Sequence, residues 1–187
     1  MGIIFRVTAV MVFALTALAA MAPSARAEET TCRGTINGRT VDNLRVPDGA
    51  TCRLNGTTVQ GTIKVETRAT LVATNVRVIG NVQAENHREV TVTGSRIGGS
   101  IQFDQGGKFT VRDNRVTGDI QVKSNNGASV IRANIVNHDV QSFSHRNGIE
   151  ISGNRIDGNL QCKENSPPPN GGNNRVQGNK EDQCKRL

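Results

Sequence analysis

Tryptophan and tyrosine are absent from the 187 residues, and phenylalanine occurs only five times. Methionine occurs three times, always within residues 1–27, which also hold Phe5 and Phe13. From residue 28 onward the only large rings are Phe103, Phe109 and Phe143. A broad aromatic core is therefore excluded, and Leu, Ile and Val with three Phe must fill a thin interior. The same lack removes the platforms on which sugar rings and unpaired bases usually stack. Asn, Gly and Thr stand where helix formers would, which excludes long amphipathic helices. No phosphate-binding loop, dinucleotide fingerprint, Ser nucleophile elbow or zinc-protease motif is present.

Acidic residues are missing from residues 1–27, where Arg6 precedes an apolar run over 7–22, then Pro23 and the small-residue site Ala25-Arg26-Ala27. That pattern reads as a secretory signal peptide cleaved after Ala27. Its apolar run is shorter than the roughly 20 residues a membrane-spanning helix needs, and no later stretch replaces it, so no transmembrane anchor is expected. Residues 28–187 are then one mature domain, released outside the cell or kept at its surface. Without Arg6 and Arg26 the 23 basic residues fall to 21, against 16 acidic ones, which leaves a modest net charge of about +5. All four cysteines, Cys32, Cys52, Cys162 and Cys184, lie in this exported part, where disulfides persist. No close Cys pair precedes a second one and the three His residues are scattered, so no metal site or cofactor is expected from them.

What the chain does have is a repeat. The segments read RTVDNLRV (39–46), TVQGTIKV (58–65), RVIGNVQA (77–84), RIGGSIQF (96–103), RVTGDIQV (115–122), IVNHDVQS (135–142), RIDGNLQC (155–162) and RVQGNKED (175–182). Successive starts are 19 residues apart four times, then 20 apart three times. Apolar residues at the second, sixth and eighth places around a fourth-place Gly describe a bent strand. A second alternating strand precedes each unit, with Leu71 and Ala73, Val90 and Val92, Phe109 and Val111, and Ile149 and Ile151 pointing inward. Coils of this length without a crossover helix predict an all-β, single-stranded parallel β-helix of about eight short coils. At about 4.8 Å per coil the rod would be roughly 35 to 40 Å long. Right-handed winding is expected, because right-handed connections dominate between parallel strands of one sheet. Asn114, Asn134, Asn154 and Asn174 fall at one corner of successive coils and predict an internal Asn ladder.

Open solenoid ends expose unpaired edges, so caps are expected over about 28–52 and 162–187. Cys32 and Cys52 are one coil length apart and Cys162 and Cys184 slightly more. Of the three possible connectivities, only Cys32–Cys52 with Cys162–Cys184 avoids joining opposite ends of the rod. The last unit loses its apolar places to Lys180 and Asp182, and the stretch Ser166 to Gly172 with three prolines breaks the strand pattern into a loop. The tail LQCKENSPPPNGGNNRVQGNKEDQC (160–184) resembles secreted bacterial right-handed parallel β-helix proteins of the pectate-lyase-like superfamily, the likeness being looser over 39–159. That resemblance implies the fold and export and brings no established activity. The wider superfamily includes polysaccharide lyases and hydrolases, but no catalytic motif of theirs can be placed here residue by residue.

Three constellations bear on function. Arg77, Arg96, Arg115, Arg155 and Arg175 line one edge, interrupted by Ile135. Like charges at coil spacing repel unless anions or carboxylates intervene, which suits an acidic polysaccharide, a teichoic-type cell-envelope polymer or nucleic acid held without sequence specificity. The bland alternative is that their stems cover the corner while Asp113 and Asp157 neutralise them. Second, Gln83, Gln102, Gln121, Gln141 and Gln161 form an outward column able to bond to one another or to sugar hydroxyls. Third, Asp119 and Asp139 stack with Asp157 nearby in the next coil. Carboxylates about 5 Å apart serve retaining glycosidases, and three Asp could instead hold Ca²⁺. Against both, short coils wall no cleft, and solvated strand residues are the plainer reading. Lys123, His145, Arg146 and Lys163 at turns would add to a basic surface, and the Thr columns are too interrupted for an ice-binding lattice. The expectation is a secreted, non-catalytic protein with a structural or surface-binding role, set against a small lyase or hydrolase acting on an acidic glycan.

Overall fold

Successive strand side chains point to opposite faces, and a period of 19 or 20 residues returns each residue type to the same place one coil later. In the computed structural model, which describes residues 28–187 and, of the segment before them, Gly2 alone, this produces a parallel β-solenoid with no helix among the described residues. The signal peptide expected over 1–27 therefore lies outside the described residues. Eight coils stack, each adding one strand to each of three parallel sheets, and Glu29–Thr31 adds a ninth strand to the first of them. A nine-stranded sheet runs from Glu29–Thr31 and Asn43–Val46 to Lys180–Asp182. A long-strand sheet of eight runs from Thr35–Asn37 to Asn170–Gly172, and a sheet of eight two-residue strands, here the arginine sheet, runs from Thr40–Val41 to Arg175–Val176.

The interior is made of single-residue columns. Val82, Ile101, Ile120, Val140 and Leu160 are register partners on the nine-stranded sheet and fully buried. Val78, Ile97, Val116, Val136 and Ile156 do the same on the arginine sheet. The inward pairs expected before each unit, from Leu71 and Ala73 to Ile149 and Ile151, are buried on the long-strand sheet. Among the described residues the interior holds two phenylalanines, Phe103 and Phe109. Phe143, expected among them, is one residue beyond the inward place and sits half-buried on the outer face. Ser142 occupies the column instead, and its buried hydroxyl donates to Asn165 Oδ1 at 3.0 Å.

Close approach of coils explains the corner glycines. A Cβ on Gly99 would lie 2.1 Å from Asn81 Oδ1 and 2.9 Å from the Gly80 carbonyl oxygen. At the corner between the long-strand sheet and the arginine sheet every coil turns through one left-handed residue: Gly38, Gly56, Asn75, Gly94, Asp113, Ala133, Gly153 and Asn173. Seven are Gly, Asn or Asp, the types that tolerate positive φ, and Ala133 at φ 53° is the exception. Ala133→Gly should raise unfolding free energy by about 0.5–1 kcal/mol, read as a higher denaturant midpoint. An unchanged or lower midpoint would count against strain at this corner.

The Asn ladder forms as the spacing predicted. Each backbone N–H of Ser95, Asn114, Asn134 and Asn154 donates to the Oδ1 of the Asn one coil on, at 2.9–3.0 Å. Each of Asn114, Asn134, Asn154 and Asn174 also donates its amide to a main-chain carbonyl of the preceding coil at 2.9 Å. Ser95 extends the ladder by accepting from Val76 N–H.

Both ends are tied as expected, by Cys32–Cys52 with Cα atoms 5.5 Å apart and by Cys162–Cys184 at 5.2 Å. The C-terminal break is smaller than the sequence implies. Asn170–Gly172 pairs with the long-strand sheet directly after the prolines, and Arg175 and Lys180 stay in register with Arg155 and Leu160. The unit loses its apolar residues at positions 180 and 182 but keeps Val176 against the core and its hydrogen bonds, while buried Cys184 and Leu187 and a Lys180 ammonium bonded to the Leu187 carbonyl close the end.

Candidate functional site

The arginine row is set by strand register alone. Arg77, Arg96 and Arg115 are consecutive Cα partners, Ile135 follows, and Arg155 and Arg175 complete the row. Because the residue after each arginine is a Val or Ile, buried at Val78, Ile97, Val116 and Ile156 and partly buried at Val176, alternation forces the arginine outward, and all five are exposed. Arg155 pairs with Asp157, Nε to Oδ1 at 3.5 Å, as the neutralising alternative foresaw. Asp113 does not serve the row, since it pairs with Arg112 at 3.2 Å. Among the described residues Arg77, Arg96, Arg115 and Arg175 have no carboxylate within ion-pair distance. Beside Arg96 and Arg115 lies a shallow depression of about 330 Å³, floored by Ser95 and Asn114 and walled by Ala133 and Ile135.

Asp119 and Asp139 belong to a second, outer ladder. It runs through Asn43, Thr62, Asn81, Ser100, Asp119, Asp139 and Asn159, each side-chain oxygen accepting the backbone N–H of the next coil. Asp119 Oδ1 takes the Asp139 N–H at 3.0 Å, and Asp139 Oδ1 takes the N–H and side-chain amide of Asn159 at 2.6 and 3.2 Å. Asp157 stands in another column, engaged by Arg155 and by the Gln177 amide at 2.9 Å. The three carboxylates are thus not brought together, and among the described residues no group of three His, Cys, Asp or Glu side chains is placed to hold a metal ion. These residues do not fit Ca²⁺.

The outward Gln column is in register from Gln83 to Gln161, continuing Arg45 and Lys64 and ending on Glu181. The amides of Gln83, Gln102, Gln141 and Gln161 each donate to the next side chain at 2.8–3.1 Å. The column floors a groove of about 530 Å³ over the nine-stranded sheet, with Phe143 at one end.

Two histidines lie where a basic surface was expected to include one. His87 and His145 are 3% and 1% exposed and flank the interior phenylalanines, with ring centroids 5.5 Å from His87 to Phe103, 5.5 Å on to Phe109 and 5.6 Å on to His145. His145 Nε2 faces the Gly127 and Gly148 carbonyl oxygens at 2.9 and 3.1 Å, which places its proton there. His145 Nδ1 and both nitrogens of His87 find no partner. Burial pushes the His87 imidazole down to about 4 and lowers that of His145 as well, against the two carbonyls that favour its charge. Alternation could not assign these residues, because the corner is inward at His87 while His138, exposed, stands in the glycine column.

The columns read for an ice lattice are in the expected register, Val72, Thr91, Thr110, Val130 and Glu150, and remain interrupted. No helix among the described residues is long and apolar enough to cross a membrane. Compared with known proteins, the chain matches no family model, no curated protein and no solved structure, so the solenoid and its surface rows are the basis for a functional reading.

Proposed function

We propose that this protein is exported from a bacterial cell after loss of residues 1–27 and acts without catalysis at the cell surface or in the surrounding matrix. There its arginine row lies along a linear polyanion, an acidic polysaccharide or another cell-envelope polymer. The observation that carries this reading is the row itself: five guanidinium groups in one register column, four of them without a carboxylate. A strip of unneutralised charge on parallel strands favours a ligand whose own charges repeat along a line. Two disulfides suit an oxidising location. The competing lyase or hydrolase reading has less support, because Asp119 and Asp139 each commit an oxygen to the main chain of the next coil.

Residues 28–187 should be retained by insoluble acidic polysaccharides at low salt and released at high salt, with no sugar liberated in the same tubes. Arg96→Gln combined with Arg115→Gln should weaken retention by about tenfold, which is roughly 0.7 kcal/mol for each of the two exposed charge contacts. Retention that ignores salt, or a double variant that binds as the parent does, would refute the arginine assignment. Liberated sugar would move the protein to the enzyme reading instead.

A further inference from the structure

We infer that the groove over the nine-stranded sheet is a separate binding site for a linear, uncharged polysaccharide, with one sugar ring stacked on Phe143 and its hydroxyls bonded to Gln121 and Gln141. The site is on a different sheet from the arginine row and does not depend on it.

Two independent features of the groove coincide. The first is a gap in the glutamine column. Four of the five successive pairings from Gln83 to Glu181 carry an amide bond, and the middle one does not: Gln121 and Gln141, although register partners, do not bond to each other. Gln102 already donates to Gln121 Oε1, and Gln141 already donates to Gln161. That leaves the Gln121 amide without an acceptor and the Gln141 side-chain carbonyl without a donor among the described residues. The second feature is the ring. On the same two strands, two residues further along, Lys123 is the register partner of Phe143. Phe143 is the one phenyl group among the described residues that is not in the interior, and it lines the groove.

A sugar hydroxyl both donates and accepts, which is what the unbonded amide pair requires, and the C–H face of a pyranose matches a phenyl face. An extended peptide would need a free strand edge for its main chain, and the strands beneath the groove are paired on both sides. The charges along the groove are mixed, Lys64 and Lys123 against Glu85 and Asp104, so it presents no field of one sign to a polyanion. The groove follows the rod axis from Lys64 to Gln141, four coil steps or roughly 19 Å at about 4.8 Å each, which suits a chain of several sugars.

The test is retention of residues 28–187 by cellulose, starch and chitin, at low and high salt, for the parent, Phe143→Ala, Phe143→Leu, the Gln121→Ala/Gln141→Ala pair, and the Arg96→Gln/Arg115→Gln pair. Far-ultraviolet circular dichroism and thermal midpoints confirm that each variant is folded. The expected result is salt-insensitive retention of the parent on at least one of these polymers, reduced at least about tenfold by Phe143→Ala, by Phe143→Leu and by the glutamine pair, and unchanged by the arginine pair. The proposal is overturned if none of the three polymers retains the parent, or if folded Phe143 and glutamine variants bind as well as the parent. It is also overturned if retention is lost with the arginine pair, which would assign all binding to the other face.

Discussion

Replacing Asn134 by Ala should lower the unfolding free energy by about 3 kcal/mol, among the largest effects expected of a single polar substitution in the described residues. Asn134 is 1% exposed and sits in the middle of the inner ladder. Its Oδ1 accepts both the backbone N–H and the side-chain amide of Asn114, at 3.0 Å each. Its own amide donates to the Val111 carbonyl at 2.9 Å and to Asn154 Oδ1 at 3.0 Å. The alanine variant leaves the Asn114 N–H buried without an acceptor, which costs about 1–3 kcal/mol, and removes the bond to the Val111 carbonyl, worth about 1 kcal/mol, while the Asn114 amide and Asn154 Oδ1 each keep a second partner. Gln83→Ala is the matching control, since Gln83 is in a ladder of the same kind but exposed, and should change stability by less than about 0.5 kcal/mol. Denaturant unfolding of the two variants checks this. Equal losses at both positions would contradict the claim that burial gives the inner ladder its weight.

Acid should loosen the fold between pH 6.5 and 4, and His87 should be the main cause. The folded state holds this imidazole neutral, its pKa lowered by burial to about 4 with neither nitrogen hydrogen-bonded. The unfolded chain has the ordinary value near 6.5, so across that interval the unfolded state binds more protons and stability falls as pH falls. The loss attributable to His87 is about 2 kcal/mol by pH 5 and about 3 kcal/mol by pH 4. His145, also lowered by burial, acts in the same direction. Its position explains why the charge is not relieved by a small movement: His87 packs edge-on to Phe103, and its ring fills the space that Gly106 leaves in the next coil, where a Cβ would lie 2.1 Å away. Thermal midpoints at pH 7 and pH 5 should draw together in His87→Leu. A leucine variant with the same pH dependence as the parent would place the acid sensitivity elsewhere.

Residue spacing reveals this fold more fully than it reveals the side-chain chemistry. A period of 19 or 20 residues fixes which residues become neighbours, so the coils, the Asn ladder, the arginine row and both disulfides follow from counting. What counting does not supply is which oxygen a side chain turns toward. Asp119 and Asp139 look like a free carboxylate pair in sequence, yet their place two residues before the Gln column makes them acceptors for the main chain of the next coil. The signal was present in Asn43, Asn81 and Asn159 of the same column. Phe143 was also legible, since strict alternation from Val140 makes it outward, but an expectation that every ring belongs inside overrode it. His87 and His145 were not legible, because the corner they occupy is inward for reasons of turn geometry that the repeat does not encode. The last unit kept its strands despite Lys180 and Asp182, because main-chain bonds to the preceding coil do not require apolar side chains.

The arginine row is the central functional claim, and the salt dependence of its binding tests it most directly. Affinity of residues 28–187 for a soluble acidic polysaccharide should be measured across a series of salt concentrations for the parent, Arg115→Gln, and Arg96→Gln/Arg115→Gln. Binding through counterion release predicts that the logarithm of affinity falls linearly with the logarithm of salt concentration, and that the slope shrinks by about one for each arginine removed. Slopes that are the same in all three proteins, or the absence of binding at low salt, would contradict it.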